Sequence, residues 1–400
     1  MSEEKEAPKT PTYKYGVVGA GRQGTAAAYD MVMYGDADEV RLADVDYDAA
    51  KAAAQRVNDL TGRDVANAWH VDVNQIAAVV DMLYGLDVFL SAVPYHYNLS
   101  LSRAALQAGA SMVDMGGSTD VVLDQIALDE QAQAAGISIV PDCGMGPGMN
   151  NTLAAYAIEL LDEPREIYIW DGGLPQDPQP PWNFQLTFHI NGLTSEYHGQ
   201  TAFLRDGKIT MVDTFEEYQE IDFEPLGRLE AFITSGGTST APWTWQGKLQ
   251  AYENRTLRYP GHYQQFKTYK LLGLFETDPV TLSDGTRVAP RDLYHALLEP
   301  KITAPDIRDV CVIRVKGVGV KDGKETAVVI DMLDYYDEET GFRAMERMTG
   351  WHCSIMASLV ARGRVRKGAV PQEICVPASE VVAEARRRGF NILHRFEPVA

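Results

Sequence analysis

Apolar residues in the first 150 positions come as short unbroken runs, each followed by a stretch with the spacing of a helix face. The runs are residues 15–18, 40–43, 87–93 (stopped by Pro94), 110–113 and 136–140, with a weaker one at 65–71. Between them, residues 25–33, 49–57, 74–83 and 99–108 repeat Ala and aliphatic positions at helical period. Strands buried on both faces read as continuous apolar runs, and alternation with helices implies a parallel sheet covered on both sides. Ligands of such sheets sit beyond the C-terminal strand ends. That rule gathers residues 19–24, Asp44, residues 93–96, 114–117 and 142–148 around one crevice.

The pattern changes after Glu163. Residues 166–171 and 183–190 alternate as strands, and Asp206-Gly207 and Asp322-Gly323 are hairpin-turn signals. Residues 310–318 and 325–333 flank the second turn as a long antiparallel hairpin, while 264–274 and 290–298 read as helices. Residues 172–175 read as a bend entering a Pro-rich loop. Helical spacing resumes at 343–362, with Met348, Trp351, Ile355, Met356, Leu359 and Val360 on the apolar side, and again at 379–388. The expected fold class is therefore α/β: a doubly wound parallel sheet plus an α+β domain with an antiparallel sheet. The expected division is a disordered tail at 1–12, a Rossmann domain at 13–150, an α+β domain for substrate and dimerisation at 151–342, and helices at 343–400 that return to the Rossmann domain. Thr349-Gly350 would bring backbone toward the cofactor side.

The first strand runs into a G-x-G-x-x-G turn made by Gly19, Gly21 and Gly24 and opening a helix. Such a turn lets backbone N–H groups and a helix N-terminus approach a pyrophosphate. On its own the motif is weak, but here the second strand follows and ends in an acid, Asp44. A carboxylate at that place accepts from ribose hydroxyls and repels the 2′-phosphate of NADP, so NAD is the expected cofactor. Asp46 and Asp48 add to the repulsion. The other reading of Asp44 is a cap on the next helix. Arg22, Gln23, Val93, Pro94 and Gly116 complete the expected cofactor contacts.

Composition narrows the partners. A formal charge of −20 over 400 residues argues against nucleic acid and anionic membrane surfaces. Cys143, Cys311, Cys353 and Cys375 have neither disulfide-framework nor zinc-site spacing, so no metal is expected. No apolar run reaches membrane-spanning length and the first residues lack a signal-peptide pattern, so a cytoplasmic protein is expected.

Several ordered segments resemble the saccharopine dehydrogenase superfamily, most closely its L-lysine 6-dehydrogenase branch. They are residues 19–24, 42–46, 113–117, 139–149, 172–175, 192–197, 229–239 and 256–262, and the similarity weakens from Ile302 onward. The resemblance implies an NAD(P)-dependent enzyme acting at a carbon–nitrogen bond, in the lysine branch oxidative deamination of the ε-amine to a semialdehyde. Thr194-Ser195, the Pro-rich loop and residues 243–245 depart from the family pattern, all within the substrate domain. Saccharopine-type oxidation or reduction of a secondary amine is the alternative activity, and a non-catalytic NAD-binding redox sensor the alternative class.

Amine oxidation needs a group that takes a proton from nitrogen before hydride leaves the adjacent carbon. Asp114, which resembles the acid near nicotinamide and substrate in the superfamily, is the first candidate. His262 and Tyr95 are the candidates for proton transfer. Asp114 and Asp142 would hold an ammonium and the nicotinamide ribose; the other reading of Asp114 is a cap or turn residue at a strand end, and of Asp142 a turn cap. Arg228 and Arg258 are the candidate carboxylate ligands, each equally readable as half of a structural ion pair. Residues 234–239, led by Thr234 and Ser235, offer hydroxyls and close backbone that would bind a carboxylate or else form a loop bend. An amino-acid substrate and a homodimer complete the expectation.

Overall fold

The computed structural model describes residues 11–399, so all but the end of the expected tail lies outside the described residues. Six of the seven parallel strands of the first sheet come from this part of the chain: β1 (Tyr13–Val18), β2 (Ala37–Asp44), β3 (Ala66–His70), β4 (Val88–Ser91), β5 (Ser111–Asp114) and β6 (Ser138–Val140). Their order is β3-β2-β1-β4-β5-β6, so the chain reverses direction between β1 and β4. That reversal opens a crevice beyond the strand ends, because the flanking loops leave in opposite directions. The central strands β4, β5 and β6 are short and wholly buried, which is why their apolar runs are unbroken, while β3 at the sheet edge is largely exposed, in keeping with its weaker run.

The second domain is a mixed sheet. Its strands are β7 (Glu163–Pro175), β8 (Gln200–Arg205), β9 (Lys208–Asp213), β10 (Gln219–Phe223), β11 (Gly227–Phe232) and β12 (Ala251–Arg258), followed by Asp309–Lys321, Lys324–Tyr335 and Asn391–Pro398. The path runs β10-β11-β12-β7, then those last three strands in order, with β8 and β9 branching from β12. β12 and β7 are parallel; the other pairs are antiparallel.

Two local expectations are corrected. Residues 172–175 are not a bend but the end of β7: Gly172 and Gly173 continue the strand because a Cβ there would stand 2.5 Å from the Leu257 carbonyl oxygen and 2.5 Å from the Met345 side chain. Residues 183–190 form no strand. Asn183 is left-handed (φ 49°), and Phe184, Leu186 and Ile190 are buried in an aromatic cluster with Tyr197, Phe215, Phe232 and Phe266. Their apolar alternation is satisfied by side-chain packing, not by a ladder.

Residues 343–400 divide between the two sheets. The helix Ala344–Ala361 lies along the helix Arg22–Tyr34; a Cβ on Gly350 would stand 2.6 Å from the Gln23 carbonyl oxygen, so only glycine permits this approach. Its N-terminal amides are capped by Asp309, which accepts from Ala344 (2.7 Å) and Met345 (2.9 Å). Gly368–Ala369 then adds to β6 in parallel. The last strand, Asn391–Pro398, departs from the expectation that this whole segment belongs with the Rossmann domain: it pairs with Lys324–Tyr335 on the second sheet. A fully buried ion pair, Arg388 Nε to Asp30 Oδ1 at 2.8 Å, locks the returning chain onto the first helix. Among the described residues no helix is long and apolar enough to cross a membrane.

Candidate functional site

The glycine turn is built as the chemistry requires. Gly19 is left-handed (φ 104°), and its Cβ would stand 2.7 Å from the Ala92 carbonyl oxygen; a Cβ on Gly24 would collide with the Gly19 carbonyl. Gly21 has open space on its Cβ side, where a pyrophosphate would approach the start of the helix Arg22–Tyr34. Gln23 lies within that first turn and Arg22, half exposed, reaches toward Glu346 at 3.9 Å.

Asp44 ends β2 and ties turn to strand: its carboxylate accepts from the amides of Ala20 (2.9 Å) and Asp46 (3.0 Å). The helix cap is a different residue, Asp46, which accepts from Asp48 and Ala49. Asp44 closes one end of a small crevice walled by Val45, Val71, Val73 and Val93. Apolar walls for a flat base and a carboxylate for a ribose make the residues present fit a nicotinamide dinucleotide.

Beyond β5 and β6 lies the crevice floor. Asp114 is fully buried, and its carboxylate accepts from the amides of Gly116 (2.8 Å) and Asp142 (3.1 Å) and from Gln125 Nε2 (2.8 Å). Burial pushes its carboxyl up, opposed by those three donors. The structure thus uses Asp114 as the anchor of two loops rather than presenting an open carboxylate, which corrects the expectation that it meets the substrate directly. Asp142 is left-handed (φ 58°) and buried; one oxygen accepts from the Ser239 hydroxyl and the other has no hydrogen-bond partner. Burial, and then the nearby Asp114, push its carboxyl well up. Gly116 must be glycine because a Cβ would overlap Asp142. Tyr95, just after Pro94, is partly exposed and packs where a Cβ on Gly117 would stand 2.9 Å from its ring.

Ser239 belongs to the second domain, so this bond crosses the domain boundary. The same loop is held by Asn150, whose side-chain amide donates to the Gly237 carbonyl (3.0 Å) and to Asp171 (2.8 Å). The next hydroxyl, Thr240, donates to the buried Glu373 at 2.9 Å. Thr152 accepts from Gln372 (2.6 Å) and bonds His352 Nε2 (2.9 Å), while His352 Nδ1 bonds the Cys143 carbonyl (2.8 Å). Burial lowers this imidazole to about 4, so the ring is neutral and donates from Nδ1 to the loop that carries Asp142.

Period two on β12 puts Asn254, Thr256 and Arg258 on one face. Asn254 donates to Asp171 on neighbouring β7 at 3.1 Å. Burial pushes the Asp171 carboxyl up to about 6, against the pull of Asn150, Asn254 and Arg258. Arg258 is only 2% exposed. Its Nε donates to the Tyr197 hydroxyl (2.9 Å), Nη1 to its neighbour's carbonyl on Leu257 (2.9 Å), and Nη2 faces Glu196 Oε2 at 3.5 Å. Burial raises Glu196 to about 7, with Arg258 opposing and Asp171 reinforcing the rise. One carboxylate, Glu196, thus pairs with the buried guanidinium, whose charge also acts on Asp171 of the neighbouring strand.

Other expected residues lie elsewhere. Arg228 stands exposed on the β10–β11 hairpin, paired with Glu220 (3.2 Å) and Asp222 (3.8 Å), because it lies past the end of the β12 pairing. His262 is 1% exposed, stacked 3.8 Å from Phe266, with Nε2 bonded to Tyr197 at 2.8 Å. Burial and the Arg258 charge push its pKa well down, so it is a neutral core residue and not an open base. Thr234 is buried; the Ser235 hydroxyl donates to the Ser195 carbonyl (2.8 Å) and its amide to the Glu196 carbonyl (2.8 Å), so Ser235 holds the loop in place. Sequence reading missed Asp171, Glu196 and Asn150, and named Ser239 only as part of the hydroxyl-bearing bend at 234–239. Asp171 and Glu196 fall at the edges of segments singled out by resemblance, but nothing in their spacing shows that they meet Arg258. Among the described residues no group of three or more His, Cys, Asp or Glu is placed to hold a metal ion.

Residues 16–140 match the saccharopine dehydrogenase NADP binding domain, and residues 144–388 the saccharopine dehydrogenase C-terminal domain. The chain is 25% identical over 289 residues to carboxynorspermidine synthase of Vibrio alginolyticus, spanning 69% of this chain and 68% of that one. It is 23% identical over 381 residues to carboxyaminopropylagmatine dehydrogenase of Synechocystis sp., spanning 88% and 90%. Among solved structures, apo saccharopine dehydrogenase (L-Glu forming) from Saccharomyces cerevisiae shares the fold with a TM-score of 0.75 at 17% identity, covering 97% of this chain and 100% of that one.

Proposed function

The chain belongs to the saccharopine dehydrogenase family, and from that premise we propose that it is an NAD-dependent oxidoreductase whose substrate is a secondary amine bearing a carboxylate. The family and its dinucleotide-binding domain carry the coarser statement, an NAD(P)-dependent oxidoreductase acting on amine groups. One observation carries the substrate class: a buried Arg258 paired with Glu196, on the β12 face where Asn254 bonds Asp171, which Asn150 in turn joins to the crevice side. A guanidinium there suits a carboxylate, and acids beside it suit an amine. The relatives named for carboxynorspermidine and carboxyaminopropylagmatine support the same class, both names denoting carboxylated amines.

The glycine turn with Arg22 and Gln23, Asp44 and the valine crevice would hold the cofactor, with Val93, Pro94 and Gly116 nearer its reactive end. Bound nicotinamide supplies the hydride acceptor, or in reverse the donor, at the carbon–nitrogen bond. Asp44 favours NAD even though the matching domain is named for NADP. Tyr95 is the accessible hydroxyl on the crevice rim and is assigned the proton at nitrogen. Asp142 faces the crevice floor and offers its unpartnered oxygen to a hydrogen bond from the substrate's nitrogen, with Asp114 and Ser239 fixing its orientation. Arg258 orients the carboxylate arm. His262 acts at one remove, by holding Tyr197 and through it Arg258.

Steady-state reduction of NAD and NADP, measured across carboxynorspermidine, saccharopine and L-lysine, tests the reading. Highest kcat/KM on a carboxylated secondary amine with NAD supports it. Highest kcat/KM on L-lysine would return the substrate to the ε-amine expectation, and no turnover with any amine would favour a redox sensor. A cytoplasmic homodimer belongs to the same proposal and is read by sedimentation and cell fractionation.

A further inference from the structure

Arg258 has an unusual set of partners. Nε and Nη1 are committed to Tyr197 and to the Leu257 carbonyl, both within 2.9 Å. Nη2 faces a single carboxylate, Glu196, at 3.5 Å, longer than a charge-assisted hydrogen bond. The two sides of the pair differ in freedom: the Arg258 side chain is 3% exposed and that of Glu196 31%. Glu196 ends the short helix Ile190–Glu196, and its carbonyl is held by the Ser235 amide at 2.8 Å, so the side chain is the free part. Asp171, the other nearby acid, is pinned by Asn150 and Asn254.

We propose that Glu196 is a built-in competitor for the substrate carboxylate: it occupies Arg258 in the resting site, and an entering carboxylate displaces it, freeing it to face the substrate's amine. This rests on the reading of Arg258 as the carboxylate ligand. It makes Glu196 a specificity-determining residue, because a substrate without an amine gains the arginine but leaves a freed acid without a partner. The charged and titratable groups facing Glu196 are Arg258 and Asp171, with Tyr197 and His262 behind the guanidinium. A carboxyl raised to about 7 is neutral below that pH and then no longer competes. Carboxylate binding should therefore weaken as pH rises through 7.

The probe is glutarate, a carboxylate without an amine, titrated calorimetrically into the protein saturated with NADH. Expected is an affinity about ten-fold lower at pH 8 than at pH 6, following the charged fraction of one group. Glu196→Gln should flatten that slope and bind glutarate about ten-fold tighter than the unaltered protein at pH 8. A flat profile in the unaltered protein, no glutarate binding at pH 6, or unchanged affinity in a folded Glu196→Gln at pH 8 would each overturn the exchange. Arg258→Met should abolish glutarate binding at both pH values while NADH affinity stays. Undiminished binding there would overturn the reading of Arg258 itself, a failure distinct from that of the exchange.

Discussion

The Ser239 hydroxyl donates to the Asp142 carboxylate across the domain boundary, and both residues stand in the left-handed region, Ser239 at φ 48° and Asp142 at φ 58°. Non-glycine residues rarely adopt that backbone, at a cost of about 1–2 kcal/mol each. Here the two strained turns meet through one hydrogen bond, at the point where the second domain touches the crevice floor.

Removing that bond separates its two contributions. Ser239→Ala leaves a buried carboxyl short of a donor and should cost about 1–3 kcal/mol. Ser239→Gly loses the same bond but relieves the backbone, so it should unfold at a higher urea concentration than Ser239→Ala. The reverse order would show that the backbone strain is not real.

Cofactor choice turns on Asp44. Losing a charged acceptor for ribose should cost NAD about 1.5–3 kcal/mol, on the order of ten-fold to a hundred-fold in kcat/KM. Asp44→Ala should lower the NAD-to-NADP ratio by that factor. Equal use of both cofactors by the unaltered enzyme would remove the basis for the assignment.

Asp171 links stability to pH. Its folded pKa, about 6, lies above the ordinary value of 3.8, so the folded state holds the proton more tightly. Its contribution is fully present below pH 4 and is lost as pH rises to about 6, a span of up to about 3 kcal/mol. Asp171→Asn should flatten that part of the stability profile. Denaturation curves of the two proteins that stay parallel from pH 4 to 7 would refute it.

Asp114 and Tyr95 should separate by readout. Asp114→Asn turns one acceptor toward a donor in a fully buried loop anchor, so its main effect should be a lower Tm. Tyr95→Phe should leave Tm and NADH affinity in place and lower kcat by about 10²-fold or more. Full turnover in Tyr95→Phe would reassign the proton step to another group.

The Asp30–Arg388 pair tests how the C-terminal chain is held. Both side chains are fully buried. Arg388→Met alone strands the acid and should cost about 3–5 kcal/mol, while the double change with Asp30→Leu should recover most of it. Calorimetric Tm values of the two variants read the difference.

Local features of this chain were legible in its residues alone. Unbroken apolar runs gave the parallel strands, because a strand buried on both faces has no polar positions to alternate. The glycine turn and Asp44 were legible because a close backbone approach and a ribose contact both fall within one β-α-β unit. The Asp322-Gly323 signal located its hairpin for the same reason, since turn chemistry lies in adjacent residues. Only the tertiary structure decided what depends on distant segments meeting. Asp171, Glu196 and Arg258 lie on three separate elements, and the upward shifts of the two carboxyls arise from burial that no spacing encodes. His262 and Asp114 looked like open acid–base groups because sequence shows a side chain's chemistry but not its solvent; packing against Phe266 and three donors to one carboxylate fixed their places. The final strand went to the second sheet because an edge was free there, a fact of the whole fold that residues 391–398 do not carry alone.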